Sequence, residues 1–157
     1  MPVADYCTSR TETASPGETL RALAERMDRQ GVGCVVVLDQ ERVRGVVTDR
    51  DVAMAVLAAG RDADATPAAS LLGREPIVVH AERPLRVAGG LMRRHGLRRL
   101  PVVDANGRLV GIVSRDDLIQ LLGRELSGMA ATLSRQSAHG SAALALAELA
   151  PALPQEL

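Results

Sequence analysis

Gly45-Val46-Val47-Thr48-Asp49-Arg50-Asp51 and Gly111-Ile112-Val113-Ser114-Arg115-Asp116-Asp117 are the same phrase written twice. Each copy closes an apolar strand, turns on a hydroxyl residue, and places a carboxylate three positions later, where a helical pattern begins. Two chemistries fit. In a capping box the hydroxyl accepts from the new helix and the carboxylate reaches back to the turn. Alternatively, the helix start offers unpaired N–H groups to a phosphate, while the carboxylate accepts from ribose hydroxyls. Either turn alone is ordinarily a cap, and it is the recurrence within a longer repeat that gives the second reading weight.

The repeat extends outward in both directions. Ser15-Pro16-Gly17-Glu18-Thr19 reads as a turn into a helix carrying Leu20, Leu23, Ala24 and Met27 on one face, with Gly31 as its stop. Cys34 to Leu38 is a buried strand, Asp39 to Arg44 a charged turn, and Val43 to Val47 the returning strand, followed by a second helix from about Arg50 to Ala59. The order then recurs: Ile77-Val78-Val79 as a short strand, Pro84 opening a helix with Leu85, Ala88, Leu91 and Met92, Gly96 as stop, Leu100 to Val103, the hairpin turn Asp104-Ala105-Asn106-Gly107, and Leu109 to Val113. Leu20 and Leu85, Met27 and Met92, Gly31 and Gly96, and Asp39 and Asp104 differ by 65, whereas Gly45 and Gly111, Thr48 and Ser114, and Asp51 and Asp117 differ by 66. The second hairpin is therefore one residue longer, and the chain holds two β-α-β-β-α units. Units of 50 to 60 residues are too small to be robust alone, so they are expected to pack as one module.

Composition narrows the function. Formal net charge is zero, all 19 basic residues are Arg, and Tyr6 is the sole aromatic, so neither a general pull toward nucleic acid nor a surface for stacking bases is present. Arg forks are the side-chain tools for phosphate, and Lys-based covalent chemistry is excluded. His80, His95 and His139 have no metal-type spacing, and neither do Cys7 and Cys34; no metal is expected. Asp49, Asp116 and Glu82 lie near strand ends without a nucleophile and base beside them, so no catalytic residue is assigned. With no apolar run of spanning length, no membrane partner and a reduced, cytoplasmic location are expected.

The two turns, together with His95-Gly96-Leu97-Arg98-Arg99-Leu100-Pro101-Val102-Val103-Asp104, make the sequence resemble a tandem pair of cystathionine-β-synthase (CBS) domains, a Bateman module, over about Thr8 to Leu122. The resemblance implies an α/β (α+β) fold in which the repeats pack through their sheets with pseudo-twofold symmetry. It divides the chain into a first repeat with its N-terminal segment (1–60), a linker (61–74), a second repeat (75–122) and an Ala/Leu-rich extension (123–157). In that extension Ser134 to Ser141 reads as a polar break and Ala142 to Ala150 as a helix ended by Pro151 and Pro154.

The resemblance also implies clefts between the repeats that hold adenine nucleotides (AMP, ADP, ATP) or another adenosyl ligand such as S-adenosylmethionine. Asp51 and Asp117 match the ribose position, Thr48 and Ser114 the neighbouring hydroxyl position, and Arg98 and Arg99, with Arg50, positions that reach phosphate. An adenine ring needs an apolar slot, which Ile77 and Val79 offer where the first half has Glu12-Thr13-Ala14. The first half has Gly33-Cys34 where the second has Arg98-Arg99, so the two clefts are expected to differ in affinity, the second half being better equipped. The nucleotide is a regulatory ligand rather than a required cofactor. The expected function is a regulatory homodimer signalling to a protein effector in trans; the alternative is a scaffold whose turns are caps alone, with an enzyme a distant third.

Overall fold

The computed structural model describes residues 1–130. The expected helix Ala142–Ala150, the break Ser134–Ser141 and His139 lie outside the described residues. The chain divides into two compact units, Met1–Leu118 and Ile119–Leu157.

In the first unit each repeat builds a three-stranded sheet. The first contains β1 (Thr13–Ala14), α1 (Leu20–Gln30), β2 (Cys34–Asp39), β3 (Arg42–Thr48) and α2 (Asp49–Ala53), which continues as a π-helical turn over Met54–Ala58. Thr19 caps α1, its hydroxyl accepting from the Ala22 N–H at 3.3 Å, and Gly31 ends it in the left-handed conformation at φ 64°. Leu20, Leu23 and Met27 turn inward from α1, and burying each of the leucines contributes about 1.5–3 kcal/mol. β2 lies between parallel β1 and antiparallel β3, which pair both its edges, and its Val35-Val36-Val37 run is fully buried because Val35 and Val37 pack on the helices while Val36 packs on the second sheet.

The second repeat follows suit with β4 (Val79–His80), α3 (Leu85–His95), β5 (Arg99–Val103), β6 (Leu109–Ser114) and α4, which opens at 115. β4 begins two residues later than the Ile77-Val78-Val79 pattern predicts. Where Val36 donates its N–H to Glu12 O at 2.9 Å in the first repeat, the second has Pro101, which has no N–H to offer the equivalent carbonyl of Ile77. Val78, next in the chain, packs between the sheets with Val36, Val43, Leu38, Val103, Leu109 and Ile112. This layer joins the two repeats face to face. The longer second hairpin is organised by Asp104, whose Oδ1 accepts from the N–H groups of Asn106 and Arg108 at 2.8 and 2.9 Å.

Each repeat is finished by the segment that precedes the other. Thr66 O accepts from Leu20 N–H at 3.0 Å, and Ala68 and Ala69 donate to Glu18 O and Pro16 O, so the stretch expected as a linker closes over the start of α1. Met1 O accepts from Leu85 N–H at 3.1 Å, and Val3 and Ala4 donate to Arg83 O and Ala81 O, so the N-terminal stretch does the same for α3. The two sets are related by the same 65-residue shift, which runs on to Pro2 and Pro67.

In the second unit, described residues 119–130 continue the helix. Ile119, Leu122, Leu126 and Met129 are exposed along it, at a spacing that aligns them on one face. Among the described residues no helix is long and apolar enough to cross a membrane.

Candidate functional site

Both turns are complete capping boxes. Asp51 Oδ2 accepts from the Thr48 N–H at 2.9 Å and from its hydroxyl at 2.7 Å, and the Asp51 N–H donates back to Thr48 Oγ1 at 3.2 Å. Ser114 and Asp117 repeat this at 2.7, 2.6 and 3.2 Å. Only Oδ2 of each carboxylate is engaged, and Oδ1 accepts from no other described residue. An ionised carboxylate has about four lone-pair sites, so capping leaves acceptors over for a sugar hydroxyl.

Arg99 stands where the two turns approach one another. It opens β5 and pairs across the sheet with Ser114, and in the other repeat Cys34 pairs with Thr48 at the corresponding place. Its guanidinium reaches across to the first repeat: a Cβ added at Gly33 would lie 3.4 Å from Arg99 Nη2 and 3.3 Å from Asp49 Oδ2. Glycine there leaves room for both groups. Burial pushes the neighbouring Cys34 thiol up, Arg99 draws it down and Asp49 raises it, with a net rise that keeps the sulfur protonated.

Beside Arg99 opens a cleft of about 200 Å³ between the repeats, walled by Gly45, Val46 and Leu72 on one side and Ile77, Arg99 and Pro101 on the other. It falls below the ~300 Å³ at which ligand sites usually begin. Such a space suits a flat ring, with sugar and phosphate left to the mouth.

The equivalent place in the other half is closed by main chain. Thr8 donates its N–H to Ile112 O at 2.8 Å and accepts from the Ile112 N–H at 3.0 Å. Thr8 O lies so close to Gly111 that a Cβ there would stand 2.6 Å from it. The halves therefore differ by a strand-like pairing, beyond the side-chain differences visible in the sequence.

Of the residues singled out from sequence, Ile77 and Arg99 meet at the open cleft. Thr48 with Asp51 and Ser114 with Asp117 form the two turns. Arg98 is exposed ahead of β5, its carbonyl accepting from the Arg115 N–H at 2.9 Å. Arg50 is exposed on α2, its N–H donating to Asp49 Oδ1. Val79 is 2 % exposed, paired with Val102 inside the sheet, and not part of the cleft wall. Leu72, Gly45 and Pro101 were not singled out. Extending the 65-residue comparison toward the N-terminus, which aligns Cys7 with Leu72, is the signal that finds Leu72. Among the described residues no group of three or more His, Cys, Asp or Glu side chains could hold a metal ion.

The CBS domain family matches residues 3–58 and 68–124. The CBS domain-containing protein YhcV of Bacillus subtilis is 37 % identical over 139 residues, covering 87 % of this chain and 98 % of YhcV. A CBS domain protein of Pyrobaculum aerophilum, solved in complex with AMP, matches with a TM-score of 0.69 at 30 % identity, covering 76 % of this chain and 90 % of that one. The CBS domain pair of protein MJ0100, solved with 5′-methylthioadenosine and S-adenosyl-L-methionine, gives a TM-score of 0.71 over 80 % of this chain and 98 % of that one; at 24 % identity it speaks for the fold.

Proposed function

The chain belongs to the CBS domain family, of which it carries two copies, and from that premise we propose a regulatory module that binds one adenine nucleotide between its repeats. The observation that carries this reading is Arg99, a cation that reaches from the second repeat to Gly33 of the first at the wall of the open cleft. In this reading the base enters beside Ile77 and Pro101, the phosphate meets Arg99, and a spare carboxylate oxygen at one of the turns accepts from the ribose. The AMP bound by the Pyrobaculum relative supports an adenosyl ligand. Because a ligand between the repeats touches both, its binding changes how they are held together, and a homodimer passes that change to a protein effector in trans. We place the module in the cytoplasm, where its free Cys7 and Cys34 stay reduced, and assign it no catalytic step.

Titration calorimetry of the full chain against AMP, ADP, ATP and S-adenosylmethionine tests this. Binding of at least one of them at one site per chain is expected. Arg99→Ala is expected to weaken it by about tenfold or more, since a hydrogen bond to a charged group is worth about 1.5–3 kcal/mol. No heat with any of the four, and no rise in melting temperature, would overturn the reading. The complete capping boxes would then favour a scaffold.

A further inference from the structure

The main chain that closes the second half is a short strap, residues 7–11, tied down at both ends. Ahead of it Val3 and Ala4 donate to Arg83 O and Ala81 O at 2.9 and 3.0 Å; behind it Glu12 O accepts from the Val36 N–H at 2.9 Å and Thr13 enters the first sheet. Between these anchors, among the described residues, the isolated bridge of Thr8 with Ile112 supplies the strap's only hydrogen bonds outside the lead-in itself. The Thr11 hydroxyl and the Cys7 thiol bond back to Thr8 O and Ala4 O at 3.1 and 3.5 Å, and residues 8–10 are exposed. Lifting the strap therefore breaks two hydrogen bonds, whose groups water can take up, and leaves both anchors in place.

Beneath the strap lies the counterpart of the open cleft. The 65- and 66-residue shifts set Thr8 on Gly73, Gly111 on Gly45 and Ile112 on Val46. In the first half Gly73 makes no backbone bond to Val46, and the cleft is open. In the second, Thr8 O and Cys7 Sγ fill the space before Gly111, at 2.6 and 3.0 Å from where a Cβ would stand. Burial pushes the Cys7 thiol up and the Asp117 carboxylate adds to the rise, so the strap also lies beside the second turn, where Asp117 engages Ser114 through Oδ2 alone.

We propose that residues 7–11 are a displaceable strap over a second adenosyl site: bowed outward between its fixed ends, the strap uncovers the cleft, and a ligand entering there holds it open. The proposal rests on the nucleotide reading above and extends it from one cleft to two. Strap and ligand exclude each other, so the apparent affinity of the covered site is its intrinsic affinity reduced by the fraction of chains whose strap is released. The first cleft fills at low ligand concentration and the second only once the ligand outcompetes the bridge, which gives one chain two thresholds for the same signal.

The test is calorimetric titration of the full chain with AMP, ADP, ATP and S-adenosylmethionine in turn, beside the rate at which iodoacetamide alkylates Cys7, located by mass spectrometry. Thr8→Pro removes the N–H that Ile112 O accepts; Thr8→Gly with Ser9→Gly loosens the strap without a ring and serves where proline is not tolerated. Thr8→Pro with Gly111→Val releases the strap and fills the cleft behind it. In the unliganded variants Cys7 is expected to react about tenfold faster or more than in the wild type, and a second binding event to tighten by the same factor, as the released fraction rises. The Gly111→Val chain is expected to keep the first event and lose the second. Fast alkylation in a strap variant that still binds one ligand overturns the second site and leaves the nucleotide reading standing. So does a wild-type chain that binds two ligands equally well while Cys7 stays slow to react. Unchanged alkylation in both strap variants shows that the bridge does not hold the strap, and overturns the device. No binding by any chain overturns the nucleotide reading itself.

Discussion

Asp51 and Asp117 each hold a helix start with one carboxylate oxygen and keep the other free, so one substitution perturbs two properties that must be measured apart. Thr48→Ala or Ser114→Ala removes the hydroxyl from its box and is expected to cost about 0.5–2 kcal/mol in denaturant unfolding of the unliganded protein. A second effect at this scale depends on pH. Glu18 is partly desolvated, which raises its pKa, but the Ser15 N–H at 2.8 Å and Arg26 together hold its carboxyl below the usual glutamate range. A pKa depressed in the folded state adds stability above the unfolded value and loses it as pH falls through the folded one. Urea midpoints are therefore expected to drop on acidification through that range, and less so in Glu18→Gln. The turns were legible because a cap is written in four consecutive residues. Arg99 was legible as a cation but not as a residue that crosses between the repeats, because its reach to Gly33 depends on how the two sheets face each other.

At the scale of elements, Gly45 and Gly111 occupy equivalent bends yet meet different neighbours. A Cβ at Gly45 would press on Leu72 Cδ2 at 2.9 Å, the end of a side chain that can move; one at Gly111 would press on the Thr8 carbonyl at 2.6 Å, which is held by its bond to Ile112. Gly111→Ala is thus expected to destabilise by the overpacking cost of about 1–3 kcal/mol, whereas Gly45→Ala acts chiefly through its backbone, whose φ of 159° disfavours an L side chain, and Leu72→Ala is expected to relieve little of it in paired thermal melts. Helices, strands and hairpins were readable because period and turn residues are local. The lead-in segments were not, because their pattern is carried by backbone bonds to a distant helix start: residues 1 to about 14 read as a polar stretch without assigned structure, and 61–74 as linker, although the first closes over α3 and the second over α1. Val79, expected in the apolar slot, lies in the sheet because pairing with Val102 takes it there.

For the whole molecule, the sheets of both repeats fall within one compact unit, joined by the valine layer between them and by the crossed lead-ins. Removing residues 1–8 deletes the bonds to Leu85, Arg83, Ala81 and Ile112, all in the second repeat. Even so, the truncated chain is expected to melt in one transition at lower temperature, the first repeat failing along with the second; two separate transitions by calorimetry would refute that coupling. The duplication was legible from Leu20 and Leu85 to Asp51 and Asp117, while its reach back to Pro2 and Pro67 shows only in the crossed backbone bonds. The crossed lead-ins also bear on cutting the gene in two. A break after Gly60 gives a front fragment that owns the clasp for the back one and a back fragment that owns the clasp for the front, so neither piece is a self-sufficient half. Expressed together they form a lock whose keys were exchanged at the start, and reassembly of the severed pair becomes a direct readout of contact between whatever two proteins carry them.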